Sequence, residues 1–116
     1  MHIEISTDRH VEGSADLRRD VTEQVTAALS RFGDLLTRVE VHLGDENAGK
    51  GGNTDMRCAM EARPAGQAAL AVTHNAATLP EAYRGAAGKL QRLLETRFSR
   101  VDSRHGRKTI RYDDPN

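Results

Sequence analysis

Thr78-Leu-Pro-Glu-Ala-Tyr-Arg-Gly-Ala-Ala-Gly-Lys-Leu-Gln-Arg-Leu-Leu94 decides the class of fold. Thr78 can accept from the Glu81 backbone amide while Glu81 reaches back, a capping box, and Pro80 sits in the first turn, where helices tolerate proline. Leu79, Tyr83, Ala86, Leu90, Leu93, Leu94 and Val101 recur at three- and four-residue steps, so one apolar stripe runs along a helix from Thr78 to about Arg104. A long helix therefore closes the chain.

Upstream of it the periodicity changes to two. Met56, Cys58, Met60 and Ala62 alternate with Arg57, Ala59 and Glu61, and Arg63-Pro-Ala-Gly66 supplies a turn leading into a further strand over Gln67 to His74. Val39, Val41 and Leu43 alternate with Arg38, Glu40 and His42, a strand with one wet face, and Gly44 to Asn53 forms a loop. Near the N-terminus Ile3 and Ile5 mark a short strand over His2 to Thr7. Ser14 can cap a helix from Ala15 to Phe32 built on Leu17, Val21, Val25, Ala28, Leu29 and Phe32, with Gly33 in the place of a C-cap glycine. The order is β-α-β-β-β-α, an α+β fold. A right-handed crossover makes the first two strands parallel neighbours, and an antiparallel meander follows, giving a four-stranded mixed sheet with two helices on one face.

With 116 residues and 37% hydrophobic content, the chain supports one core. Residues 1–106 are expected to form a single domain and residues 107–116 a disordered tail, basic and then acidic. A single cysteine, Cys58, excludes an internal disulfide and reads as a buried small apolar residue. No run of apolar residues suits a membrane span and no secretory pattern opens the chain, so a soluble cytoplasmic protein is expected.

Net charge is zero, but it is unevenly placed. Residues 1–83 hold 13 acidic and 8 basic groups, whereas residues 84–111 hold nine Lys and Arg against Glu95 and Asp102. A helix of that length would span roughly 40 Å, while a seven-residue strand covers about 23 Å, so the helix should overhang the sheet. Arg97 and Arg104 fall near the centre of the apolar stripe, which is tolerable past the sheet edge, and Lys89, Arg92 and Arg100 line an adjoining side. Together with Arg107 and Lys108 these residues form a basic prong suited to a polyanion.

These features resemble the ribosome hibernation promoting factor family, also called ribosome-associated inhibitor proteins. The resemblance rests on the Ile3-Glu-Ile5 strand, the long first helix, Val39-Glu-Val41, and Lys89-Leu-Gln-Arg-Leu-Leu94, which is similar to the family's Lys-Leu-x-x-Gln-Leu segment and is followed by basic residues. It implies a fold like that of double-stranded RNA binding domains. It also implies binding to the small ribosomal subunit and its rRNA, where the family silences translation under stress, and the length is that of its short form. By that pattern Lys89, Arg92, Arg97, Arg100 and Arg104 are the candidate RNA ligands, to which Arg107 and Lys108 are added by charge.

Other constellations carry less. Gly44-Asp-Glu-Asn-Ala-Gly-Lys-Gly51 imitates a phosphate-binding P-loop but lacks its Ser or Thr, and Asp45 and Glu46 would repel phosphate. The histidines His2, His10, His42, His74 and His105 have no ligand spacing, so no metal and no other cofactor is expected. Ser99, Asp102 and His105 lie close together on one exposed helix, without a pocket for catalysis. The chain is read as a binding protein and not an enzyme, without a small-molecule substrate or a membrane partner. A monomer is expected, with a homodimer as the second state. The competing reading is a protein-interaction or oligomerisation module that docks an acidic protein surface.

Overall fold

The computed structural model describes residues 1–46 and 55–109, with side chains as far as residue 98. Strand β1 (His2–Thr7) leads to helix α1 (Ala15–Leu29), and a 3₁₀ helix (Ser30–Leu35) delivers the chain to β2 (Leu36–Asp45). Strands β3 (Met56–Pro64) and β4 (Leu70–Ala76) precede helix α2 (Leu79–Thr109). The sheet runs β1-β2-β3-β4, with β1 parallel to β2 and the other neighbours antiparallel. This is the expected α+β architecture. Ser14 Oγ accepts from the Leu17 amide at 3.1 Å and starts α1 where the sequence places it.

The core lies between one sheet face and the two helices. Val39, Val41 and Leu43 of β2 and Cys58, Met60 and Ala62 of β3 are buried, as the alternation requires. Val21, Val25 and Leu29 of α1 and Ala82, Tyr83, Ala86, Leu90 and Leu94 of α2 close over them. Each large side chain moved out of water contributes about 1.5 to 3 kcal/mol, so this stripe fixes how α2 is seated. Leu93, counted in the stripe from its spacing, stays 36% exposed. Burial pushes the Cys58 thiol up to about 12, leaving it protonated and inert, in keeping with a packing role.

Several boundaries differ from expectation. Helix α1 stops at Leu29, and Gly33 lies within the 3₁₀ helix instead of capping α1. Three residues per turn keep Leu29 and Phe32 on one side, where both are buried, and the Leu36 amide donates to Gly33 O. Strand β3 continues through Pro64, and the turn closes with Gly66 at φ 71° and the Gln67 amide on Pro64 O at 3.3 Å. Strand β4 accordingly begins at Leu70, paired with Ala62, and not at Gln67. Helix α2 continues to Thr109, which brings Arg107 and Lys108 onto it.

At Gly85 the helix comes down directly on β4. A Cβ there would lie 2.2 to 2.7 Å from the His74 ring, whereas at Gly88 the nearest atom, Arg92 Nη1, stands at 3.6 Å. Gly85→Ala is therefore expected to destabilise the fold by about 1 to 3 kcal/mol through overpacking. Gly88→Ala should be neutral or gain up to about 1 kcal/mol from helix propensity. Urea denaturation of the two variants checks the contrast.

Candidate nucleic-acid interface

The flanks of α2 differ in what holds them. At its start Thr78 Oγ1 accepts from the Glu81 amide at 3.3 Å and donates to Glu81 Oε1 at 3.0 Å, so the capping box is a side-chain pair. On the flank facing α1, the Tyr83 hydroxyl donates to the Asp20 carboxylate, and Arg84 Nη2 lies 3.9 Å from the same group. Further along, Arg31 meets Glu95 at 3.3 Å and stands 4.9 Å over the Phe32 ring, which stacks on Phe98 at 5.8 Å. Positive charge on this flank is therefore partnered.

The opposite flank turns toward the β4 rim of the sheet. Lys89 and Arg92 are exposed, and the Arg92 guanidinium has no partner among the described residues. Lys89 Nζ donates to the Thr73 carbonyl at 2.9 Å. Arg100, Arg104, Arg107 and Lys108 follow on the same helix. At about 100° per residue the positions of Lys89, Arg100 and Arg107 fall nearly in line, with Arg92 and Arg104 roughly 60° to either side.

Arg97 lies closer to the body than helix and strand lengths predict. In place of a position beyond the sheet it is half-buried, and its Nη1 donates to Gln67 Oε1 at 3.1 Å, in the connection between β3 and β4. The reason is the length of the sheet: β2 has ten residues and not seven, and the turn carrying Gln67 extends that end further. Phe98 still packs against the core.

The uncovered sheet face carries a feature that depends on register. Glu4, Glu40 and Glu61 are aligned across β1, β2 and β3. Arg38 binds Glu4 and lies 3.1 Å from Glu40, while Arg63 lies 3.7 Å from Glu40 and 3.0 Å from Glu61. His2 adds a contact to Glu4 at 3.3 Å, and Ser6 Oγ and His42 Nδ1 are 2.8 Å apart. The hydrogen bond from Arg38 holds the Glu4 carboxyl below its ordinary range. This face forms a concavity of 390 Å³. Three carboxylates already joined to two guanidiniums leave little attraction for phosphate here. Alternation foretold Arg38, Glu40 and His42 on the wet face; their alignment with Glu4 and Glu61 required the pairing.

Other candidates do not assemble. Among the described residues no group of three or more His, Cys, Asp or Glu could hold a metal ion. In the P-loop-like stretch Asp45 and Glu46 end the hairpin, with the Glu46 amide on Asp55 O at 2.9 Å, and residues 47–51 lie outside the described residues. The side chains of Ser99, Asp102 and His105 do as well.

The model of the family described as sigma 54 modulation protein / S30EA ribosomal protein matches residues 3–102. The crystal structure of the Thermus thermophilus Protein Y N-terminal domain is similar, with a TM-score of 0.67 and 22% identity, over 83% of this chain and 98% of that one. A ribosomal subunit interface protein from Coxiella burnetii gives a TM-score of 0.66 at 15% identity, over 85% of this chain and 99% of that one. These likenesses establish a common fold. No curated protein matches the chain.

The packing of α1 against α2 can be tested through Tyr83. Burial, with a contribution from Asp20, pushes its hydroxyl up from 10.0 to about 12. Because the folded value is raised, the stabilisation is complete below pH 10 and is lost as pH rises toward 12. Cys58 acts with the same sign between its ordinary 9.0 and about 12. Tyr83→Phe should cost about 1.5 to 3 kcal/mol at neutral pH, the worth of a hydrogen bond to a charged group. It should also flatten part of the alkaline decline, measured as the melting midpoint against pH.

Proposed function

The chain belongs to the sigma 54 modulation protein / S30EA ribosomal protein family, and we propose that it is a ribosome-associated factor that silences translation by seating the basic flank of α2 on rRNA of the small subunit. The observation that carries this reading is the unequal treatment of charge along α2. The flank toward α1 is neutralised by Asp20 and Glu95, while Arg92 is exposed and unpartnered among the described residues. Lys89 precedes it on that flank, and Arg100, Arg104, Arg107 and Lys108 extend the charge along the helix. Several cations along one helix suit a phosphate backbone, because each neutralised phosphate releases condensed counterions.

The aromatic residues support recognition of the backbone over the reading of bases. Tyr83 is 2% exposed, and Phe32 and Phe98 stack on each other, so none of these rings offers a platform for an unstacked base. Backbone shape and phosphate are then what α2 meets. The factor acts by occupying the subunit, without chemistry of its own, and such a role places it in the cytoplasm. Among the described residues no helix is long and apolar enough to cross a membrane.

Sedimentation of a stationary-phase lysate through sucrose should carry the protein with the small subunit; recovery only in the ribosome-free fractions contradicts the reading. Arg92→Glu combined with Arg100→Glu should weaken subunit binding at least tenfold, and removal of each cation from its phosphate should lower the salt slope of log affinity by about one. Arg92→Glu alone should leave folding stability within about 0.5 kcal/mol. Arg97→Glu, in contrast, should cost about 1 kcal/mol because it removes the hydrogen bond to Gln67.

A further inference from the structure

The two rims of the sheet are protected in different ways. Strand β1 carries His2 and Glu4, with Glu4 bound to Arg38 of β2, and Arg18 Nη1 from α1 donates to the Ile5 carbonyl at 3.0 Å. Charges on the strand and a guanidinium over its edge both discourage a further strand. Strand β4, Leu70-Ala-Val-Thr-His-Asn-Ala76, pairs among the described residues with β3 alone and contains no Lys, Arg, Asp, Glu or Pro. Its exposed residues are small and uncharged: Ala71, Thr73 and Asn75. An edge of that composition is open to pairing. Its guard comes from outside the strand, where Lys89 Nζ of α2 holds the carbonyl of Thr73, the middle residue of β4, at 2.9 Å.

We infer that β4 is a pairing edge for the β4 of a second copy of this chain, and that Lys89 keeps it closed. An antiparallel pair about a twofold axis at Thr73 sets Thr73 opposite Thr73 and Ala71 opposite Asn75. No charge on one strand then meets a like charge on the other, and opposed threonines are a favourable cross-strand pair. Lys89 opposes this pairing in two ways. Its ammonium occupies a carbonyl at the centre of the junction, and the twofold axis brings Lys89 and Arg92 of both copies to the same side, where like charges repel. A phosphate that drew Lys89 away would relieve both obstacles. That last step rests on the proposed RNA contact, whereas the edge and its guard do not.

Sedimentation equilibrium of the full chain without RNA tests the inference. Wild type should be monomeric, and Lys89→Gln should dimerise with an apparent dissociation constant at least tenfold lower. Adding Thr73→Lys to Lys89→Gln should restore the monomer, because like charges then face each other across the axis. Thr73 is exposed, and circular dichroism checks that each variant is folded. A Lys89→Gln variant as monomeric as wild type, or a dimer that survives Thr73→Lys, would overturn the inference. Since no RNA is present, loss of ribosome binding in a separate assay leaves this outcome unaffected.

Discussion

The seating of α2 on β3 and β4 is the constraint on which the other features depend. Ala82, Tyr83, Ala86, Leu90 and Leu94 form the buried stripe, and Gly85 permits contact with the His74 ring that any Cβ would prevent. A helix fixed by such a stripe cannot rotate about its axis without exposing it, at about 1.5 to 3 kcal/mol for each large residue. The stripe therefore also determines which residues face outward. Lys89 reaches the β4 rim because Leu90 and Leu94 face the core.

Electrostatics then separates the molecule's surfaces. Asp20 and Glu95 occupy the seam between the helices, and on the uncovered sheet face Glu4, Glu40 and Glu61 are joined to Arg38 and Arg63. Exposed ion pairs of this kind stabilise by less than about 1 kcal/mol each, so their larger effect is on the surface potential. They cancel charge on two surfaces, while Lys89 and Arg92 of α2 stand exposed. The polyanion site proposed for α2 is in this way compatible with a net charge of zero.

Much of this is legible in the sequence because it depends on local spacing. The two-residue period of Val39, Val41 and Leu43 and the three- and four-residue steps of Leu79, Tyr83, Ala86 and Leu90 are local properties, and β-α-β-β-β-α follows from them. What escapes depends on tertiary reach. Gly33 has the position of a C-cap in the sequence, yet the burial of Phe32 and Leu36 tightens the chain into a 3₁₀ helix. Arg97 looks free when the strands are taken as short, but Gln67 reaches it across a turn. Lys89 counts as one more cation until the structure sets its ammonium on Thr73. The acidic row on the open face needs the register of three strands, which no local pattern contains.

Helix α2, and not α1 or the open sheet face, is the element proposed to meet ribosomal RNA. A photo-crosslinking side chain placed at Arg92, and in a second preparation at the exposed Arg19 of α1, separates these surfaces on purified small subunits. If α2 is the contacting element, position 92 crosslinks to rRNA, the crosslinks disappear in high salt, and position 19 gives none. Crosslinks from position 19 with none from position 92 would contradict it.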